Sequence, residues 1–154
     1  MQNNSNVTEI LNDLIRINRD RVEGYEKAID ELEKGDTDLK ALFQQYAQQS
    51  GGYITELTAE VTKLGEKAAS DTTVSGKVYR VWMDLKATFT RDERTSTLES
   101  CEYGEDAAQK AYKEALGKSA ELPSQVANLI TRQQANLRSA HDTVKRQRDM
   151  HTVK

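Results

Sequence analysis

The chain of 154 residues contains one cysteine, one proline and two histidines, and each scarcity excludes something. A lone Cys101 cannot form an internal disulfide and leaves no thiolate cluster for zinc. A single proline, Pro123, together with few β-branched runs, argues against a sandwich or barrel. No apolar run approaches the ~20 residues of a membrane span. The amino terminus MQNNSNVTEI has neither the basic nor the apolar region of a signal peptide. Charge of one sign is also missing. The formal net charge is -3, which makes no electrostatic case for nucleic acid or an anionic membrane as partner. The expected setting is a reducing cytoplasm.

What remains is a chain sized for one domain, 36% hydrophobic and 31% charged. That balance suits a helical bundle, in which each helix hides one stripe and solvates the rest. After a polar leader (1–6), Asn6 and Glu9 stand at the spacing of a capping box. Val7, Ile10, Leu11, Leu14, Ile15, Val22, Tyr25, Ile29 and Leu32 then mark one face at helical period. Gly35 fits a helix stop and Asp36 a cap for the next helix, so the first two helices form an antiparallel pair. The second is expected from about Thr37 to Leu64, with Gly51-Gly52 marking a kink or a close helix approach. GEKAASDTTVSG (65–76) is the one long polar linker. Beyond it, Ser75 can cap a short segment carrying Val78, Trp82, Leu85 and Phe89. Thr90-Arg91-Asp92-Glu93 reads as a capping box opening a third helix to about Leu116. Pro123 suits the first turn of a fourth, which is expected to fray into KRQRDMHTVK, with 151–154 as tail. KRQR itself is a basic patch that favours a helix end.

A weak internal repeat organises these elements. GYEKAI (24–29) and AYKEAL (111–116) align at an offset of 87 residues, which also places Leu42-Phe43 on Leu129-Ile130. Two similar helix pairs joined by a long crossover are the ferritin-like arrangement. The expected fold is therefore an all-α, ferritin-like antiparallel four-helix bundle over residues 7–150, with a long connection between the second and third helices and one extra short helix.

Carboxylate metal centres in such bundles need a glutamate from each of two helices and Glu-x-x-His from each of the other two. Asn18 stands at the middle of the first helix's stripe, and the repeat pairs it with Glu105, as it pairs Tyr25 with Tyr112. The corresponding positions on the other helices are Ser50-x-x-Tyr53 and Leu137-x-x-Ala140, which supply no metal ligand set. Neither histidine, His141 or His151, belongs to a Glu-x-x-His. The expectation is thus a non-catalytic polar network of Asn18, Tyr25, Tyr53, Glu105, Tyr112 and His141. In it Glu105 is held by Asn18, Tyr25, His141 or Arg94, and no resident cofactor is present. The competing reading is a metal or redox site for iron, manganese or zinc. It would use Glu105, His141 and Glu102, completed by ligands from a second chain. Cys101, one turn before Glu105, reads as a small buried hydrophobe rather than a redox thiol. Tyr25, Tyr46, Tyr53 and Tyr112 read as amphipathic core residues.

GYEKAI, DLKALF, VSGKVYRVWMDLKA, ESCEYGEDAAQKAY and RQQANLRSAHD (132–142) resemble an uncharacterised bacterial family of ferritin-like four-helix-bundle proteins, known as a domain of unknown function. The resemblance spans roughly residues 7 to 150. It implies the ferritin-like fold and brings no established activity. The expected function is a non-enzymatic structural or interaction role with a homodimer or other protein partner; a stress-related context is all that the resemblance adds to it.

Overall fold

Apolar positions three and four apart bury one stripe of a helix and leave its other face in water, and four such stripes meet here. The computed structural model describes residues 4–32, 34–70 and 93–152. Among these, α1 is Asn4–Glu31, α2 Thr37–Lys63, α3 Glu93–Gly117 and α4 Ser124–Thr152, with a 3₁₀ turn at Ser119–Glu121. The expected short helix, with Ser75, Val78, Trp82, Leu85 and Phe89, and the capping box residues Thr90 to Asp92 lie outside the described residues.

Helix ends follow local chemistry, not always the chemistry expected. α1 is already helical at Asn4, so Asn6 lies inside the helix and is not its cap. Asp36 does occupy the N-cap of α2 but makes no side-chain cap bond. Its carboxylate instead accepts from Arg94 Nη1 at 2.8 Å, and Asp38 accepts from Arg94 Nη2 at 2.8 Å. This clamp ties the α1–α2 joint to the start of α3. At the far end of α2, Gly65 adopts φ +74°. Its N–H bonds the Thr62 carbonyl at 2.9 Å, and the Glu66 N–H reaches back to Val61 at 3.3 Å. This is a Schellman stop, which needs the left-handed residue that glycine supplies. Among the described glycines Gly65 alone has positive φ, so Gly35 does not end α1 in this way. Pro123 sits just before α4, its carbonyl accepting from Val126 and Ala127 at 3.0 Å each. α4 then runs on to Thr152 without the expected fraying. Gly51-Gly52 marks no close approach: a methyl added at either meets nothing within 4 Å, and α2 passes through unbroken.

Contacts between distant residues give the topology. α1 pairs with α3 through Asn18–Tyr112 and Arg21–Glu105, numbers rising on one helix as they fall on the other. α2 meets α4 the same way, Glu56 against Arg132 and Glu60 against Gln125. With antiparallel α1–α2 and α3–α4 pairs, the passage from α2 to α3 starts and finishes at opposite ends of the bundle. Its first residues run along α1, where Asn12 accepts from Ala69 N at 2.8 Å and donates to the Lys67 carbonyl at 3.2 Å.

The interior is two apolar clusters rather than one. The first contains Val7, Leu11, Leu14, Leu57, Val61, Tyr112, Ile130 and Leu137. The second contains Tyr25, Leu39, Phe43, Leu98, Cys101 and Val144. Between them lies a buried polar layer.

Candidate functional site

The layer is built around Arg21 and Glu105, of which the guanidinium is 1% and the carboxylate 0% exposed. Arg21 Nε donates to Glu105 Oε1 at 2.8 Å and Nη2 to Oε2 at 2.9 Å, the two-pronged geometry that suits a planar guanidinium. The remaining nitrogen, Nη1, donates to Ser50 Oγ at 2.7 Å and to the Tyr46 carbonyl at 3.1 Å. The rings of Tyr25 and Tyr46 lie 5.3 and 5.4 Å from the guanidinium carbon, close enough for cation–π attraction. Tyr25 also donates its hydroxyl to Glu105 Oε2 at 2.6 Å. Burial alone works against a charge on Arg21, but the Glu105 carboxylate outweighs it and holds the guanidinium charged above its ordinary range. Burial first, and the Glu105 charge next, push the Tyr25 hydroxyl well above the usual phenol range.

From this pair a chain of hydrogen bonds leads outward. Ser50 donates to Asn18 Oδ1 at 2.8 Å, and Asn18 Nδ2 donates to Tyr112 Oη at 2.8 Å and to the Leu14 carbonyl at 2.8 Å. Tyr112 donates to Gln133 Oε1 at 2.7 Å. Gln133 Nε2 then meets Glu56 at 3.1 Å, and Glu56 meets Arg132 at the surface at 2.8 Å. All four helices contribute. A buried polar layer stabilises only when its members are satisfied, and every residue in this chain has a partner.

The internal repeat is visible in these bonds. At an offset of 87 residues, Tyr25 maps on Tyr112 and Asn18 on Glu105. The bonds Tyr25–Glu105 and Tyr112–Asn18 are therefore images of each other. The symmetry then breaks: the counterpart of Arg21 is Ala108, that of Ser50 is Leu137 and that of Tyr53 is Ala140. The first half supplies the cation Arg21 with Ser50 beside it, the second half the carboxylate Glu105, and apolar residues stand in the second half where Arg21, Ser50 and Tyr53 stand in the first.

Of the residues expected in a core network, Asn18, Tyr25, Glu105 and Tyr112 come together. Tyr53 is buried nearby, its hydroxyl pushed up by burial and meeting Asn136. His141 does not belong to the layer. Its Nε2 lies 2.6 Å from Asp106 Oδ1 and its Nδ1 3.1 Å from Asp142 Oδ1, at the edge of the bundle. The reason is angular: successive residues on a helix turn by about 100°, so Glu105 points inward while Asp106 points to the α3–α4 flank. Arg94 is equally absent from Glu105, being held by Asp36 and Asp38. Glu102 pairs with Arg148. The partner that sequence reasoning missed is Arg21, and a signal was available. It lies three residues after Asn18 and four before Tyr25, on the same face as both, yet arginine is ordinarily read as solvated. Gln133 and Asp106 were missed for the same reason.

The sequence matches a protein family described as Domain of unknown function (DUF2383) over residues 6–118. No curated protein matches it. Among solved structures, a mutant of Dps1 from Mycobacterium smegmatis is similar at a TM-score of 0.81 and 14% identity, over 94% of this chain and 96% of that one. At that identity the likeness concerns the fold, which is ferritin-like. No helix among the described residues is long and apolar enough to cross a membrane.

Proposed function

The chain belongs to the DUF2383 family, and from its bundle centre we propose that it is a non-enzymatic, ferritin-like structural or interaction protein whose interior cation is Arg21 rather than a metal pair. The observation that carries this reading is the saturation of Glu105. Both of its oxygens accept from Arg21, at 2.8 and 2.9 Å, and one also accepts from Tyr25 at 2.6 Å. A dinuclear iron centre does not fit these residues. It calls for four carboxylates and two imidazoles projecting inward. Here Asn18, Ser50, Leu137 and Ala140 are buried at the corresponding places. A guanidinium and two iron ions would also compete for one carboxylate, and their charges would repel.

On this reading the centre joins the helices, and function resides in surfaces offered to protein partners or to a second copy. The buried thiol of Cys101, the one cysteine of the chain, agrees with a reducing cytoplasm. The alternative, a metal or redox protein drawing on Glu105 and His141, has less support, because the two side chains face different partners. Elemental analysis of protein purified without chelator, alongside Glu105→Gln, tests the proposal. The expected result is no metal whose retention depends on Glu105. Stoichiometric iron, manganese or zinc that disappears in Glu105→Gln would overturn it.

A further inference from the structure

A second constellation lies on the α3–α4 flank, apart from the buried layer. Glu102 and Asp106 are one turn apart on α3, and His141 faces them from α4. One candidate ligand atom from each lies within 4.8 Å of the other two. The imidazole is already oriented: its Nδ1 is held by the carboxylate of Asp142 at 3.1 Å, which turns Nε2 toward Asp106 Oδ1 at 2.6 Å. A carboxylate on the far ring nitrogen is the arrangement that fixes the tautomer of a metal-binding histidine and strengthens it as a donor. His141 and Glu102 are mostly shielded, at 19% and 14% side-chain exposure, whereas Asp106 is open at 61%. Two helices therefore supply a partly sheltered set with one side accessible to solvent.

We propose that Glu102, Asp106 and His141 form a surface site for one divalent transition ion of the zinc class, bound by one imidazole and two carboxylates. Imidazole favours zinc and its neighbours over magnesium or calcium, and two carboxylates neutralise the ion. Three protein ligands leave a position for water, so the site is exchangeable rather than a closed structural one. Because the ligands come from α3 and α4, the ion would pin those helices together. The competitor is built in: Arg148 pairs with Glu102 and must release it when the ion binds.

That competitor separates a metal site from a simple interhelical ion-pair cluster. Metal-free full-length protein, titrated calorimetrically with zinc alone, is expected to take up one ion per chain. Asp142→Asn, which touches only the far ring nitrogen, should weaken binding by about tenfold. His141→Ala and Asp106→Asn, which remove ligands, should weaken it further. Arg148→Gln should tighten it severalfold by freeing Glu102. Circular dichroism of each variant establishes that the bundle is folded. Zinc binding of equal strength in wild type and His141→Ala, or no gain in Arg148→Gln, would overturn the assignment, as would the absence of saturable binding.

Discussion

Replacing Arg21 with methionine removes the one cation that, among the described residues, pairs with the Glu105 carboxylate, which is 0% exposed. Breaking a buried ion pair from one side costs about 3–5 kcal/mol, because the surviving carboxylate keeps the Tyr25 hydroxyl but has neither water nor a compensating cation. Glu105→Leu, the opposite truncation, should cost about as much: two donors of Arg21 and the Tyr25 hydroxyl lose their acceptor. If the effects were independent, the double variant would lose roughly 8 kcal/mol, a loss of the same size as the 5–15 kcal/mol that holds a domain together. Replacing both members leaves no buried charge, and swaps of this kind range from neutral to stabilising. Against that stands the orphaned Tyr25 hydroxyl, at about 1–3 kcal/mol. The double variant is therefore expected within about 2 kcal/mol of wild type, a coupling of several kcal/mol. Urea unfolding followed by helical circular dichroism measures all four corners of the cycle. Each single change should also lower the melting temperature by about 8–16 °C for a domain of this size. Single changes costing under about 1 kcal/mol, or a double change equal to their sum, would refute the reasoning.

The buried tyrosines predict an alkaline transition. Tyr25, Tyr46, Tyr53 and Tyr112 are all raised above the usual phenol range, burial being the largest cause for each. A raised folded value means stability that is intact below the unfolded value of about 10 and is lost as pH climbs toward the folded one. Tyrosinate absorbance from these four should thus appear only together with loss of helix; their titration in the folded protein near the ordinary phenol value would contradict the burial. Two glycines should respond in opposite directions in thermal melts. Gly52→Ala, with open space around the added methyl and helical backbone, should stabilise by about 0.5–1 kcal/mol. Gly65→Ala, at φ +74°, should destabilise by about 1–2 kcal/mol. Tyr112→Phe removes the link between Asn18 and Gln133 and should cost about 1–3 kcal/mol, measured by urea unfolding.

The four long helices, the bounds of α2 and the long second connection were all legible as apolar period, turn residues and a repeat at 87 residues. So were four members of the polar layer, because Asn18, Tyr25, Glu105 and Tyr112 occupy stripe positions where apolar residues would otherwise stand. These are properties of the helix, whose periodicity is local and written in the order of residues. Pairing across the bundle is not local. Arg21 reads as a solvated residue until α3 brings Glu105 to it across 84 positions of sequence. His141 reads as a neighbour of that acid until the turn of α3 gives it Asp106 instead. Periodicity determined that a carboxylate would be buried. Which cation meets it depends on the register and rotation of two helices distant in sequence, and only their packing decided that it is an arginine of the chain itself.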